Sequence, residues 1–190
     1  MSEKKETPTV KRTHPIVLIL GGARSGKSTY AQKLAERWWP SPLYLAPAET
    51  LDDEMADRVK LHQENRGSRW ACVEEPLDIA KVIKDSTPAR DGVLLDCATL
   101  WLTNVLLKEG VAGIETRKHA LTAALQTCST GVIIVSNEVG MGIVPEYPLG
   151  RDFRDQQGWL NQELAAIADT VIFVIAGIPM FLKGTIPNVA

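Results

Sequence analysis

The stretch Gly21-Gly22-Ala23-Arg24-Ser25-Gly26-Lys27-Ser28 follows the apolar run Ile16 to Leu20 and leads into a segment with helical spacing. Its G-x-x-x-x-G-K-S pattern describes a phosphate cradle, the P-loop. Glycines let backbone N–H groups curl around phosphate oxygens, Lys27 reaches the β and γ phosphates, and Ser28 can ligate magnesium. A glycine-rich turn that matches by accident is the competing reading, and the expected strand and helix on the correct sides argue against it. Asp96 closes the run Gly92-Val-Leu-Leu-Asp96. An acid at a neighbouring strand end would hold Mg2+ directly or through water, although Asp in that place is also a common turn former. These features specify an NTP site and do not choose between a GTPase, a DNA-handling ATPase and a small-molecule kinase. A signalling GTPase usually carries N-K-x-D for base reading, whereas the nearest segment here is Asn137-Glu-Val-Gly140.

His62 is the second candidate. Thr50-Leu-Asp-Asp53 resembles a capping box, and at about 100° per residue Leu51, Met55, Arg58, Val59 and His62 share one broad helical face. A histidine there is commonly a hydrogen-bonded core residue. Its chemical alternative is a nucleophile toward phosphorus, since imidazole with a pKa near 6.5 is roughly three-quarters neutral at pH 7. His14 lies near the N-terminus, and His119 sits beside Arg117 and Lys118, where a solvated face is expected. A third stretch, Ser136-Asn-Glu-Val-Gly-Met-Gly-Ile-Val-Pro-Glu146, reads as a strand end emptying into a glycine- and proline-ordered loop. It precedes a helix whose start would present Arg151 and Arg154 to phosphate or carboxylate.

Elements of one kind must position these residues. Ile16 to Leu20, Leu43 to Ala46, Gly92 to Asp96, Val132 to Ser136 and Val171 to Ala176 are short apolar runs without polar alternation, which predicts strands buried on both faces of a parallel sheet. Between them, helical spacing covers Lys27 to Trp38, Thr50 to Glu64, Thr99 to Glu109, Ile114 to Thr127 and Phe153 to Ala168. The alternation implies an α/β sheet with right-handed crossovers, whose ligands bind beyond the carboxyl ends of the strands.

The chain has 190 residues, enough for one well-buried domain, and a formal charge of -2 without the broad basic field that nucleic acid requires. Residues 1–14 read as a flexible extension and 15–190 as a single nucleotide-binding catalytic domain. Cys72, Cys97 and Cys128 lack C-x-x-C spacing and fall in or beside apolar runs, which suggests reduced core thiols and a cytoplasmic location. Lys4, Lys5, Lys11 and Arg12 ahead of Ile16 loosely imitate a signal peptide, but the apolar run is too short. No run reaches the roughly 18 apolar residues of a membrane span.

Several segments together resemble the adenosylcobinamide kinase/adenosylcobinamide-phosphate guanylyltransferase family of cobalamin biosynthesis. They are the P-loop, Asp52-Asp-Glu-Met55 with Arg58 and His62, Leu95-Asp-Cys with Leu100-Trp-Leu-Thr-Asn104, and Ser136 to Glu146. Leu149 to Asp155, Gly158 to Asn161, and Ala176-Gly-Ile-Pro179 with Leu182-Lys183 complete the order, over about residues 16 to 183. The resemblance implies a RecA-like P-loop NTPase, mostly parallel with helices on both faces, assembled as a homotrimer. It implies phosphorylation of adenosylcobinamide from ATP or GTP, then transfer of GMP from GTP through a GMP-histidine at His62. It places nucleotide contacts at Gly21 to Ser28, at Ala46, Pro47 and Ala48, at Gln63, Glu64, Asn65 and Arg66, and at Glu74 and Asp96. Ala46-Pro-Ala48 lacks a hydroxyl that relatives can offer there. A kinase without the guanylyl step and a non-catalytic nucleotide switch are the rival readings.

Overall fold

The computed structural model describes residues 15–48, 69–86 and 89–186. Strands β1 (Ile16–Gly21), β2 (Leu43–Ala46), β3 (Ala71–Glu74), β4 (Gly92–Asp96), β5 (Gly131–Asn137), β6 (Thr170–Ile175) and β7 (Ile178–Lys183) form one sheet in the order β3-β2-β4-β5-β1-β6-β7. Neighbouring strands pair parallel from β3 through β6, and β7 is antiparallel to β6. The helices are α1 (Lys27–Trp38), α2 (Ile79–Asp85), α3 (Ala98–Thr127) and α4 (Pro148–Ile167). The expected helix over 50–64, with its capping box, and the expected extension over 1–14 lie outside the described residues.

Burial on both faces follows from the two-residue period of a strand. In β1, Ile16, Leu18 and Leu20 pack with α2, α3 and α4, while Val17 and Ile19 pack with α1. Helix α1 meets the sheet through Ala31, Leu34, Ala35 and Trp38, a spacing that lines one helical face. Burying a side chain such as Leu34 stabilises the fold by about 1.5–3 kcal/mol. After α1, Trp39 is fully buried and meets the Trp38 ring edge-on at a centroid distance of 6.0 Å.

Strands β3 and β7 and helix α2 were not expected, and three of the expected elements differ in extent. The two helices expected over 99–109 and 114–127 run as one element from Ala98 to Thr127, interrupted by Gly110 in a non-helical conformation (φ 68°, ψ -174°). Arg117 spans this break, bonding Glu109 at 2.6 Å on the far side and Asp78 at the start of α2. Helix α4 begins at Pro148, well before Phe153, because proline at a first-turn position fits helical φ and lacks an N–H to satisfy. Finally, β6 ends at Ile175, short of the expected Ala176. A two-residue turn, Ala176-Gly177, has positive φ at both positions (51° and 80°) and folds the chain back as β7.

Candidate active site

The parallel strands bring their carboxyl ends to one side of the sheet, and there the P-loop stands between β1 and α1. A Cβ on Gly21 would lie 2.6 Å from both Ser25 Oγ and the Val174 carbonyl oxygen, so this turn accepts no side chain. Gly26 caps α1 with φ 95°, and Ser25 N donates to the Gly22 carbonyl at 3.3 Å. The β6–β7 turn supports the loop from behind. Gly177 N donates to the Ser25 carbonyl at 2.8 Å, and a Cβ on Gly26 would lie 3.1 Å from Gly177 Cα. The Ala176-Gly-Ile-Pro179 segment thus acts as a buttress for the P-loop.

Lys27 Nζ donates to the Gly22 carbonyl at 3.1 Å, folding the lysine back over its own loop. Ser28 Oγ donates to Asp96 Oδ1 at 3.2 Å, and the Tyr44 hydroxyl reaches Asp96 Oδ2 at the same distance. Tyr44 was not expected in the site. Its position within β2 looked like a core residue, and its partner lies on a strand distant in sequence.

The arrangement fits a magnesium nucleotide on three observations. Ser25 Oγ is buried without a hydrogen-bond partner, and a Cβ on Gly22 would meet nothing within 4 Å, which leaves open space at the loop's mouth. Ser28 and Asp96 offer hard oxygens side by side, the donors Mg2+ takes when phosphates and water complete its shell.

Other expected contacts lie farther along the sheet end. Ala46 is at the end of β2 and pairs with Glu74 on β3, and Glu75 N donates to the Ala46 carbonyl at 3.0 Å. Asn104 on α3 holds the next residues, its Nδ2 donating to the Pro47 carbonyl at 2.7 Å and to the Pro76 carbonyl at 3.3 Å. Glu74 is exposed and stands at the sheet edge. The strand order puts β3 four positions from β1, which at about 4.8 Å per strand is roughly 19 Å from the P-loop strand. The P-loop and Asp96 are brought together by the Ser28 contact, and Ala46 follows Leu45, which pairs with Leu95 beside Asp96, whereas Glu74 stands apart on the edge strand. His62, Gln63, Glu64, Asn65 and Arg66 lie outside the described residues.

Arg151 and Arg154 were expected to meet phosphate or carboxylate, and in the structure Arg151 Nη1 donates to the carbonyls of Pro145 (3.1 Å) and Glu146 (2.5 Å), closing the preceding loop onto α4. Arg154 meets the carboxylate of its neighbour Asp155 at 3.4 Å. The cysteines are not uniformly core residues. All three are free, but Cys72 is exposed because it lies on the edge strand β3, Cys97 is half-buried and Cys128 is buried. Burial, and then the charge of Asp96, push the Cys97 thiol up. No helix among the described residues is long and apolar enough to cross a membrane.

Comparison with known proteins agrees with this geometry. The chain is 42% identical over 167 residues to the bifunctional adenosylcobalamin biosynthesis protein CobP of Pseudomonas aeruginosa, covering 88% of this chain and 96% of that one. It is 40% identical over 181 residues to the bifunctional adenosylcobalamin biosynthesis protein CobU of Salmonella typhimurium, covering 88% and 99%. A solved structure of a Pyrococcus horikoshii OT3 protein, 8% identical, aligns with a TM-score of 0.50 over 95% of this chain and 92% of that chain, a likeness of fold. A family model described as cobinamide kinase / cobinamide phosphate guanyltransferase matches residues 17–182. With a P-loop, a strand-end acid beside its serine and that match over most of its length, the chain belongs to the cobinamide kinase / cobinamide phosphate guanyltransferase family.

Proposed function

We propose that this enzyme performs its family's two reactions at the carboxyl end of the sheet, with ATP or GTP on Gly21 to Ser28, Mg2+ on Ser28 and Asp96, and adenosylcobinamide as acceptor. The observation that carries this reading is the contact of Ser28 with Asp96 directly beneath a P-loop of open mouth. In the kinase step the acceptor's aminopropanol oxygen attacks the γ-phosphorus. The bond from that phosphorus to the β,γ-bridging oxygen breaks, and the hydroxyl proton passes to solvent. Lys27 exchanges its Gly22 carbonyl for phosphate oxygens, and the loop N–H groups neutralise charge on the transferring group. Ser28 and Asp96 would hold a magnesium ion there, which would draw charge off the phosphates.

In the second reaction His62 attacks the α-phosphorus of GTP and pyrophosphate leaves. A phosphate oxygen of adenosylcobinamide phosphate then attacks the same phosphorus, breaking the P–N bond, restoring His62 and yielding adenosylcobinamide-GDP. Arg58 or Arg66 stabilises the developing charge. Ala46, Pro47, Ala48, Gln63, Glu64, Asn65, Arg66 and Glu74 complete the nucleotide contacts, and the distance of Glu74 from β1 suits a guanine edge or ribose lying away from the P-loop.

The same reading takes residues 15–190 as one catalytic domain, supported by the single sheet that the described strands share. It takes the assembly as a homotrimer. The exposed Ile178, Met180, Phe181 and Leu182 on edge strand β7 suit burial against another subunit, and the free thiols suit the cytoplasm.

The test is incubation of wild-type protein and His62→Ala with magnesium and GTP labelled on the α-phosphate. An acid-labile, base-stable adduct on the wild type alone is expected. Absence of label from a wild type shown to bind GTP would overturn the guanylyl step and leave a kinase.

A further inference from the structure

The carboxyl end of β5 holds a buried ring of hydrogen bonds that no step above uses, and its path begins and ends on the backbone of Asn137. Asn137 N donates to Thr99 Oγ1 at 2.8 Å. Thr99 and Ser136 hydroxyls meet at 3.4 Å, and Ser136 Oγ donates to Asn161 Oδ1 at 2.7 Å. Asn161 Nδ2 then donates to the Asn137 carbonyl at 3.0 Å, closing the ring. Gln157 Nε2 braces it, at 3.0 Å from Ser136 Oγ and 2.9 Å from Asn161 Oδ1. Proton directions follow from the donor inventory. Asn161 Oδ1 only accepts, so it takes the single proton of Ser136, and Thr99 supplies the proton at Ser136 Oγ.

Thr99, Ser136, Gln157 and Asn161 are all buried. Such a layer is costly when any member is lost, because each unpaired buried group forfeits its hydration. What it holds in place is Asn137, whose N–H is fixed by the first turn of α3 and whose carbonyl is fixed by α4. Asn137 pairs with Gly21 of β1, and Glu138 N donates to the Gly21 carbonyl at 3.2 Å. On the other side of β5 lies β4, with Asp96 opposite Val135. Asn137 therefore ends the strand that separates the P-loop from the magnesium acid. Its main chain is immobilised, while its side-chain Oδ1 is buried with no hydrogen-bond partner.

An amide oxygen accepts protons and offers none, so it has no bond to give a fully ionised triphosphate, whereas the attacking alcohol carries a proton and must lie close to the γ-phosphate. We propose that Asn137 Oδ1 orients the acceptor hydroxyl in the kinase step, and that Gln157 and Asn161 are positioning residues acting through Asn137. The proposal rests on the kinase reading above.

The test is a double-mutant cycle with Asn137→Ala and Asn161→Asp, which keeps the acceptor atoms of residue 161 and removes its donor to Asn137. Each single variant is expected to lower kcat/KM for adenosylcobinamide by roughly 10- to 100-fold, the loss that misplacement of a reacting group brings, with KM for ATP within about threefold. The double variant is expected to lose no more than Asn137→Ala does, since both act on one group. GMP-adduct formation from GTP, which needs no alcohol, is expected to stay at the wild-type level in all three.

Additive losses, or equal losses in adduct formation, would mark a purely structural layer and overturn the proposal. Wild-type turnover in Asn137→Ala would overturn it too, leaving the kinase reading intact. A wild type that phosphorylates no adenosylcobinamide would instead overturn that reading and this proposal with it.

Discussion

Ser28 Oγ and Asp96 Oδ1 meet at 3.2 Å although their strands are not neighbours in the sheet, since β5 lies between β1 and β4. The contact is reached because Ser28 sits in the first turn of α1, beyond the strand ends, where a side chain can cross above the intervening strand. On the proposed reading, two oxygens so placed would act on the same magnesium ion. Ser28→Ala and Asp96→Asn should each reduce the cobinamide kinase kcat by about 10²–10³, the usual cost of removing one charge-stabilising group. Both should also raise the magnesium concentration for half-maximal rate. A magnesium titration of each variant checks this, and an unshifted midpoint with reduced kcat would separate the pair from the metal.

The thiols should divide by environment. Cys72 is exposed on β3, Cys128 is buried, and Cys97 combines partial burial with the adjacent Asp96 charge, both of which disfavour its thiolate. In native protein at pH 8, an aromatic disulfide reagent should release one equivalent rapidly, and Cys72→Ser should abolish that phase. Full release should require denaturant. A fast phase that survives in Cys72→Ser would place the reactive thiol elsewhere.

Much of this arrangement is legible in the residues themselves where the information is local. The P-loop and its flanking β1 and α1 follow from a contiguous pattern, and Asp96 follows from its place at the end of an apolar run. The missed pieces depend on partners far along the chain. Strand β3 is four residues long, too short to stand out, and its alternating exposure turns Cys72 outward although its apolar neighbours suggested the core. Strand β7 contains Pro179 and is largely exposed, as an edge strand permits, so its apolar residues give no burial signal. Tyr44, Gln157 and Asn161 gain their roles only when β2, β4, β5 and α4 converge, and no spacing along the chain encodes that meeting.

Gly92 illustrates a core requirement hidden in a strand start. A Cβ there would fall 2.0 Å from Trp39 Cε2, and the Trp39 ring is fully buried with no room to retreat. Gly92→Ala should therefore destabilise the fold by about 3 kcal/mol, the upper end for an overpacked core. The urea midpoint should fall at constant m-value. Trp39→Leu should relieve part of that loss, so the double variant should be more stable than the sum of the singles. Strict additivity would remove the steric explanation.

Lys118 provides a pH-dependent tie between α3 and α4. It is 3% exposed and bonds Glu163 at 2.6 Å and Glu115 at 2.9 Å. Burial pulls its pKa down, but hydrogen bonds to Glu163 and then Glu115 outweigh it, and the net displacement is upward. The folded chain thus holds this proton more tightly than the unfolded chain. The stabilisation is complete below the ordinary lysine pKa of about 10.4 and is lost as pH rises through the higher folded value. Tyr30, raised by burial, titrates in the same direction, so wild type alone does not isolate the lysine. Urea unfolding of wild type and Lys118→Met at pH 8, 9.5 and 11 does. The stability difference between the two should be constant up to pH 9.5 and shrink by pH 11, because methionine has no proton to lose. Parallel stability profiles through pH 11 would show that the Lys118 pairs add nothing to folding beyond the packing of the side chain's stem.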